Sequence, residues 1–121
     1  MLMTNTEIYF LYEGLNKLRG LGINFPIRVG FNIVKNIKNL VKDYEAIEEA
    51  RMDIIKKYEP LEEKDIDKVN VELIELGNIS NNIDLIYIKL DDIADLEIPL
   101  DILEAIAPII LEWLANSLLF F

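Results

Sequence analysis

The amino-acid sequence predicts a mainly α-helical protein that forms one domain. Apolar residues recur at intervals of three and four along most of the 121-residue chain, which is the spacing of amphipathic helices. Hydrophobic residues make up 52% of the chain, enough for a packed core, and no cysteine is present to form a disulfide. Since the chain contains neither an internal repeat nor a low-complexity linker, we predict a single helical domain over residues 1–121.

The first predicted helix begins after Thr4. Thr4 and Glu7 have the spacing of a capping box. The apolar residues that follow keep helical intervals until Gly20 and Gly22 end the pattern. These apolar residues are Ile8, Leu11, Leu15 and Leu18. Three aromatic residues between positions 9 and 12 widen the apolar arc, which predicts that the helix is buried on two sides.

The next two helices form a predicted antiparallel hairpin, over about 27–58 and 64–80. Pro26 suits a helix start, because the N–H that proline lacks is not needed there. Apolar residues before position 31 also alternate as in a strand, but the heptad seam that follows favours a helix. The seam consists of Ile33, Ile37, Leu40, Tyr44, Ile47, Arg51, Ile54 and Tyr58. For Arg51 we expect a packed stem and a guanidinium that reaches a glutamate, although a polar seam residue can also fix the dimer state.

A second seam continues the hairpin after Pro60 and the acidic run 62–65. Ile66, Val69, Leu73 and Leu76 resume the three-four spacing. So short a connection between two seamed helices favours an antiparallel arrangement in which the seams face each other.

The last third of the chain is less regular. Residues 83–90 fit either a continuing helix or a short buried strand, and their β-branched side chains favour the strand. A strand needs a partner for its backbone groups, and residues 2–4 are the candidate within the chain. Pro99 starts a final predicted helix that runs to Leu118, and Pro108 is expected to kink it.

Charge is unevenly distributed along the chain, whose formal net charge is −10. Residues 1–58 contain nine Lys or Arg and seven Asp or Glu, whereas residues 59–121 contain three and fifteen. The excess of acidic residues argues against direct binding of nucleic acid, because phosphate binding requires an excess of Lys and Arg.

Two charged surfaces are candidates for partner binding. Basic residues of the second helix fall on the face opposite its seam, at Arg28, Lys35, Lys38 and Lys42. They form either a solvated face that balances the acidic half or a docking surface for an anionic protein. An acidic patch includes Asp91, Asp92 and Asp95. This patch is either an exposed turn, a mimic of nucleic acid, or a weak cation site that lacks the glycine and ligand spacing of a calcium loop.

The side chains that most enzymes use are missing. The chain has no histidine and no cysteine, so the usual general base and the usual zinc ligands are absent. The sequence Gly20-Leu21-Gly22 lacks the third glycine of a dinucleotide-binding fingerprint. We therefore predict a non-enzymatic protein with no catalytic residue, no cofactor and no metal.

The C-terminal segment is strongly apolar. Its large side chains are Trp113, Leu114, Leu118, Leu119, Phe120 and Phe121. Such a segment left in water is a liability for a monomer, which predicts a homo-oligomer or partner interface, with docking onto the same chain as the alternative. Its nine-residue uncharged run is too short to span a bilayer. The N-terminus has no basic region of a signal peptide, so we predict a cytoplasmic protein without membrane association.

Several short motifs also carry a family resemblance. They are Leu15-Asn16-Lys17-Leu18, Phe25-Pro26, Lys35-Asn36-Ile37, Glu48-Glu49-Ala50-Arg51, Lys56-Lys57-Tyr58, Ile88-Lys89-Leu90 and the stretch 103–109. In these motifs the chain resembles a family of short, acidic, uncharacterised proteins of tailed bacteriophages and prophages of low-GC bacteria. Glu59-Pro60 departs from the family, in which glycine tends to follow the tyrosine. The resemblance implies a phage origin and the host cytoplasm or the virion as location, and it transfers no catalytic residue.

The sequence therefore leads to three functional hypotheses. The first is a phage protein that binds a host protein in fixed stoichiometry and inhibits a defence or regulatory factor. The second is a structural or assembly component of the phage particle, which binds other phage proteins. The third is an acidic mimic of nucleic acid.

Overall fold

The protein is mainly helical, as the sequence predicts, and two short strand pairs accompany the helices. The computed structural model describes residues 1–111. Its elements are β1 (Leu2–Thr4), α1 (Asn5–Gly20), α2 (Ile27–Lys57), α3 (Ile66–Gly77), β2 (Ser80–Asn82), β3 (Ile88–Lys89), α4 (Leu100–Ile106) and β4 (Ile110–Leu111). Turns of 3-10 helix cover Glu63–Asp65, Leu90–Asp92 and Ala107–Ile109.

Helix α1 begins and ends where its local signals predict. The Thr4 amide donates a hydrogen bond to Glu7 Oε1 over 3.0 Å, and the Glu7 amide donates to Thr4 Oγ1 over 3.2 Å, so the capping box is confirmed. The helix ends at Gly20, and Gly22 adopts a left-handed conformation with φ of 73°. Glycine takes this conformation without the steric penalty that a Cβ atom brings.

Helix α1 packs against both α2 and α4, which confirms its predicted burial on two sides. Its completely buried side chains are Ile8, Leu11, Leu15 and Leu18. On the α4 side, Gly14 permits close approach, because a Cβ atom there would lie 2.6 Å from the Ala105 Cβ. On the α2 side, the rings of Tyr12 and Tyr44 stack with 4.1 Å between their centroids.

Helix α2 agrees with its predicted range of 27–58 to within one residue. Its 31 residues correspond to a length of about 46 Å. The predicted seam is buried at Ile33, Ile37, Leu40 and Ile47. Along α2, all of which the structure describes, no residue beyond Ile47 is buried. The segment 48–57 therefore extends past the core.

Helices α2 and α3 form the predicted antiparallel hairpin. The connection contains Pro60, and the chain returns through the 3-10 turn Glu63–Asp65 into α3. The Arg51 guanidinium donates from Nε to Glu48 Oε1 over 3.2 Å, as expected for this seam position. The Lys57 ammonium pairs with the Glu72 carboxylate of α3. We call residues 48–77 the hairpin arm.

The far end of α3 is attached to the start of α1. Asn5 Nδ2 donates to the Leu76 carbonyl over 2.8 Å, and the Thr6 hydroxyl donates to the Gly77 carbonyl over 3.1 Å. These bonds satisfy carbonyl groups that have no partner within the last turn of a helix. Helix α3 thus ends at Gly77, three residues before its predicted limit.

The predicted pairing of residues 2–4 with 83–90 is wrong in its partner. Strand β1 pairs with β2, so that Met3 lies opposite Asn81 in an antiparallel register. Residues 80–82 are polar, and their pairing is supported by a side-chain bond from Asn81 Nδ2 to Asn5 Oδ1 of 2.6 Å. Residues 88–89 do form a strand, but β3 pairs in parallel with β4.

The final helix is shorter than the sequence predicts. Helix α4 begins at Leu100, directly after Pro99, and ends at Ile106. Pro108 lies in a 3-10 turn that follows, and the chain then extends into β4. Because proline cannot donate a hydrogen bond and its ring clashes with the preceding turn, Pro108 ends the helix instead of kinking it. Up to Leu111, the predicted helical continuation is therefore wrong.

Candidate protein-binding surfaces

The predicted basic residues of α2 form one exposed stripe together with two apolar side chains. Phe31 is 61% exposed and Ile27 is 93% exposed. The Lys35 ammonium lies 5.8 Å from the centroid of the Phe31 ring, within the range of a cation–π contact. We define the basic stripe as Ile27, Arg28, Phe31, Lys35, Lys38 and Lys42, all of them exposed.

Sequence reasoning identified the cations of this stripe but missed the two apolar residues. Ile27 is one of the apolar residues that alternate before position 31, and an alternating pattern does not show which face of a helix a residue occupies. The available signal was the interval of four between residues 27 and 31, which places both beside the basic residues on a helix.

The helix face opposite the stripe is fixed by a buried polar contact. Asn36 is completely buried. Its Nδ2 donates to the Ile86 carbonyl over 2.9 Å, and its Oδ1 accepts from the Ile86 amide over 2.7 Å. Asn39 Nδ2 adds a bond of 3.1 Å to the Asp84 carbonyl. Residues 84–86 are thereby held along α2, so the stripe is presented by a helix anchored from behind.

The cations of the basic stripe take part in no ion pair within residues 1–111. The ion pairs of this part of the chain involve Arg51, Lys57 and Lys64. The acidic half of the chain therefore does not neutralise the stripe by direct contact with a described residue. The stripe offers charges and apolar surface to the solvent at the same place.

The predicted acidic patch lies in exposed turns after β3. Asp91 and Asp92 belong to the 3-10 turn Leu90–Asp92, and Asp95 follows after the buried Ile93. Across the described residues, no ion pair connects these carboxylates with the basic stripe. Residues 1–111 also contain no cluster of metal-ligating side chains that could hold an ion.

A second apolar surface, which sequence reasoning missed, lies on the outer side of α3. Three of the four predicted seam residues, Val69, Leu73 and Leu76, are half-buried, whereas the seam prediction is wrong for Ile66, which is 44% exposed. Off the seam, Val71 is 55% exposed and Ile74 is 62% exposed. The sequence contained a signal for this second surface, because α3 has more apolar residues than a single seam requires.

A groove of about 180 Å³ lies where the hairpin arm meets α1. The side chains of Tyr9 and Phe10 form the wall from α1, and Leu73 and Leu76 form the wall from α3. Arg51 of α2 also lines the groove. The groove marks the boundary at which the arm leaves the core.

The aromatic cluster beside this groove holds α1 to α2. The Tyr44 hydroxyl donates to Glu13 Oε1 over 2.7 Å. This hydrogen bond to a carboxylate, together with burial and the nearby negative charge, raises the pKa of the Tyr44 phenol well above its ordinary value. Tyr44 therefore stays protonated and acts as a hydrogen-bond donor, not as a nucleophile.

Two further expectations concern the rest of the chain. The predicted oligomer interface at Trp113, Leu114, Leu118, Leu119, Phe120 and Phe121 lies outside the described residues. Among the helices of residues 1–111, none combines the length and the hydropathy that crossing a membrane requires.

Comparison of the chain with family models, with curated proteins and with solved structures found no match in any of the three. Any role of the basic stripe therefore has to be inferred from the chemistry of its own residues.

Proposed function

We propose that this chain is a non-enzymatic phage protein that binds another protein in fixed stoichiometry and thereby inhibits a host defence or regulatory factor. The observation that carries the binding role is the basic stripe. Its cations have no acidic partner within residues 1–111, and they continue along the helix from the exposed side chains of Ile27 and Phe31.

The chemistry of the stripe defines the surface that it fits. Ile27 and Phe31 gain from burial against apolar side chains, because water is removed from both surfaces. Lys35, Lys38 and Lys42 favour carboxylates on the partner, next to the apolar side chains that cover Ile27 and Phe31. Complementary charges mainly accelerate association and select the partner, whereas buried apolar and aromatic side chains supply most of the affinity.

The anchoring of α2 also favours a binding role. The Asn36 bonds to Ile86 and the buried seam fix the helix that carries the stripe. A surface that is already ordered loses less conformational entropy on binding than a flexible one. The arrangement therefore suits a rigid docking surface.

A protein is a better partner for the stripe than nucleic acid. Four cations face outward on a chain with a formal net charge of −10. Nucleic acid presents a continuous row of phosphates that extends beyond such a stripe and meets the surrounding acidic residues. A protein surface can place a few carboxylates opposite the stripe and leave its remaining surface neutral or basic.

The phage origin and the host target depend on the resemblance described above. The motifs that carry it include Lys35-Asn36-Ile37, which contains a stripe residue, the buried Asn36 and a seam residue. A protein that binds a host factor in an infected cell needs a surface for recognition and no catalytic site.

The test is a quantitative pull-down with the tagged full chain from uninfected and phage-infected lysates of a low-GC bacterium. The stripe variant carries Lys35→Glu, Lys38→Glu and Lys42→Glu. The matched control carries Lys17→Glu, Lys56→Glu and Lys89→Glu, which changes three exposed lysines elsewhere and gives the same net charge. We expect the wild type and the control to recover one host protein in a constant ratio and the stripe variant to lose it.

Other outcomes contradict the proposal in different ways. Equal recovery by the stripe variant and the wild type excludes the stripe as the binding surface. Recovery of capsid or tail proteins, only after infection, replaces the host target with a role in the phage particle. Displacement of the bound protein by added DNA or RNA points to mimicry of nucleic acid.

A further inference from the structure

The outer side of α3 presents a surface with the opposite charge to the basic stripe. Two adjacent rows of side chains form it, Ile66-Asn70-Ile74 and Asp67-Val71-Glu75, each with the interval of four that aligns residues on a helix. We define the α3 outer face as Glu63, from the 3-10 turn before the helix, and Ile66, Asp67, Val71, Ile74 and Glu75 of α3, all of them exposed. Lys68 is also exposed on this side, so the three carboxylates of the face outnumber one cation.

The acidic residues of the α3 outer face are also without cationic partners in the described part of the chain. The ion pairs of residues 1–111 use other carboxylates, those of Glu48, Glu62 and Glu72. The exposed apolar side chains Val71 and Ile74 lie between Asp67 and Glu75 along the helix. The face therefore combines acidic and apolar groups, which is the chemistry that the basic stripe requires of a partner.

The two surfaces point in opposite directions on one molecule. Helix α3 packs on the seam side of α2, where Ile47 and Arg51 line the groove together with Leu73 and Leu76. The basic stripe lies opposite this seam, since its residues are half a helical turn away from it. One copy therefore cannot bring its own stripe and its own α3 outer face together, but two copies can.

The basic stripe is longer than the α3 outer face. From residue 27 to residue 42 the stripe extends over about 23 Å, and from residue 66 to residue 75 the α3 outer face extends over about 14 Å. Part of the stripe is thus long enough to cover the whole face. Most residues of both surfaces belong to helices, and helices pack by inserting side chains between those of the neighbour.

We propose that the basic stripe of one copy binds the α3 outer face of a second copy. This inference rests on the proposed role of the stripe in binding an acidic, apolar protein surface. It proposes the α3 outer face of a second copy as one such surface. The contact joins two different surfaces, so a pair of copies retains one unused stripe at one end and one unused α3 outer face at the other. Repetition of such a contact gives a ring or an open chain.

The contact is small, which defines the conditions of the experiment. Stable interfaces bury about 1,200–2,000 Å² in total. A contact that extends along only about 14 Å of one helix buries less. Both copies also carry a formal net charge of −10, so binding depends on the local meeting of opposite charges. We expect a weak association that increases with protein concentration.

A charge-swap experiment with the full chain tests the contact directly. The stripe variant is the one defined above, with Lys35→Glu, Lys38→Glu and Lys42→Glu. The face variant carries Glu63→Lys, Asp67→Lys and Glu75→Lys. Sedimentation velocity over a range of concentrations gives the average mass, and far-UV circular dichroism verifies that each variant keeps its helix content.

The expected pattern is specific to this contact. The wild type and the Lys17, Lys56 and Lys89 control increase in average mass with concentration, while each charge-swap variant alone stays at the mass of one chain. An equimolar mixture of the two variants associates again, because the acidic stripe of one now meets the basic face of the other. A mixture that stays monomeric while both variants are folded overturns the inference.

The outcomes also separate this inference from the proposed function. If the wild type stays monomeric at every concentration, or if both variants associate as the wild type does, the basic stripe does not bind a second copy. The stripe can then still bind a host protein, which the pull-down measures independently. If the pull-down shows no dependence on the stripe while the charge swap succeeds, self-association is the role of the stripe and the host target is rejected.

Discussion

The core of the protein and its hairpin arm are both helical, but burial stabilises them to very different degrees. The buried apolar residues lie in the sequence up to Ile47 and again from Ile83 onwards. No residue of 48–77 is in the buried core, although this part of the chain is fully described. We call residues 1–47 and 80–111 the body.

The difference shows what a heptad pattern determines and what it leaves open. In the body, the α2 seam is covered by α1 and by residues 83–87, so Ile33 and Leu40 are almost completely buried. In the arm, the same seam faces α3, and Ile54 remains half-buried. The pattern thus selects the side on which helices pair, whereas burial requires a third element. The arm has fewer buried contacts and is expected to open at lower free energy than the body.

The largest predicted effect compares a leucine of each region. Leu15→Ala removes a completely buried side chain of α1 and is expected to lower the free energy of unfolding by about 2–5 kcal/mol. Leu73→Ala in the half-buried arm seam is expected to cost about 1 kcal/mol, because less apolar surface is lost. Urea unfolding followed by circular dichroism measures both. Equal costs at the two positions would show that the arm is as tightly packed as the body.

The next effect concerns the polar anchor of the body. Asn36→Ala leaves the buried amide and carbonyl of Ile86 without their partners, and we expect a loss of about 2–3 kcal/mol in unfolding free energy. Asn39→Ala is the matched control, because its single bond to Asp84 lies at the surface. A cost for Asn36→Ala no greater than that of the control would mean that water replaces the lost bonds.

A third, smaller effect tests the close approach of α1 and α4. Gly14→Ala places a methyl group against Ala105 and is expected to cost about 1–3 kcal/mol, because neighbouring side chains must move. Gly20→Ala meets no neighbouring atom, and alanine restricts the unfolded chain, so this control is expected to stabilise by about 0.4–1 kcal/mol. Thermal unfolding of the two variants gives the difference directly.

The smallest effect is a local dependence on pH in the arm. The hydrogen bond from the Lys57 ammonium holds the pKa of Glu72 below its ordinary value of 4.5. A depressed pKa stabilises the folded form above the ordinary value, and this contribution is lost as the pH falls through the lowered one. We expect the amides of α3 to lose protection from hydrogen exchange in that range before those of α1.

Glu72→Gln supplies the comparison for the pH effect, because glutamine does not titrate. In this variant the protection of α3 relative to α1 is expected to stay constant across the same range. Glu75→Gln, at an exposed position of the same helix, is expected to behave as the wild type does. If α1 and α3 lose protection together in the wild type, the two regions unfold as a single unit.

The sequence determined the elements whose signals are local. Thr4 and Glu7 lie within one turn of each other, and Gly20 lies at the helix end that it produces, so both ends of α1 could be predicted. The two strand pairs could not be predicted in the same way. The polar residues Ser80–Asn82 show no strand pattern, and β1 selects them because α3 delivers residue 80 beside the N-terminus of α1.

The candidate surfaces also differ in whether local sequence signals could predict them. The positions of Lys35, Lys38 and Lys42 follow from helical spacing alone, and the structure places them on one exposed face. The partner of Asn36 lies 50 residues away, so only the fold reveals it. The α3 outer face could not be predicted, because Val71 and Ile74 lie off the seam and only the fold shows that they stay exposed.

The position of α1 between α2 and α4 also determines how the chain is exposed during its synthesis. Helix α1 is synthesised before α4, and its side that receives Ala105 stays uncovered until α4 has been translated. Strand β1 likewise waits for residues 80–82. Nascent chains that stop between the hairpin and α4 leave an apolar helix face uncovered, and such surfaces promote aggregation. Translation of α4 is therefore the step that covers this side of α1.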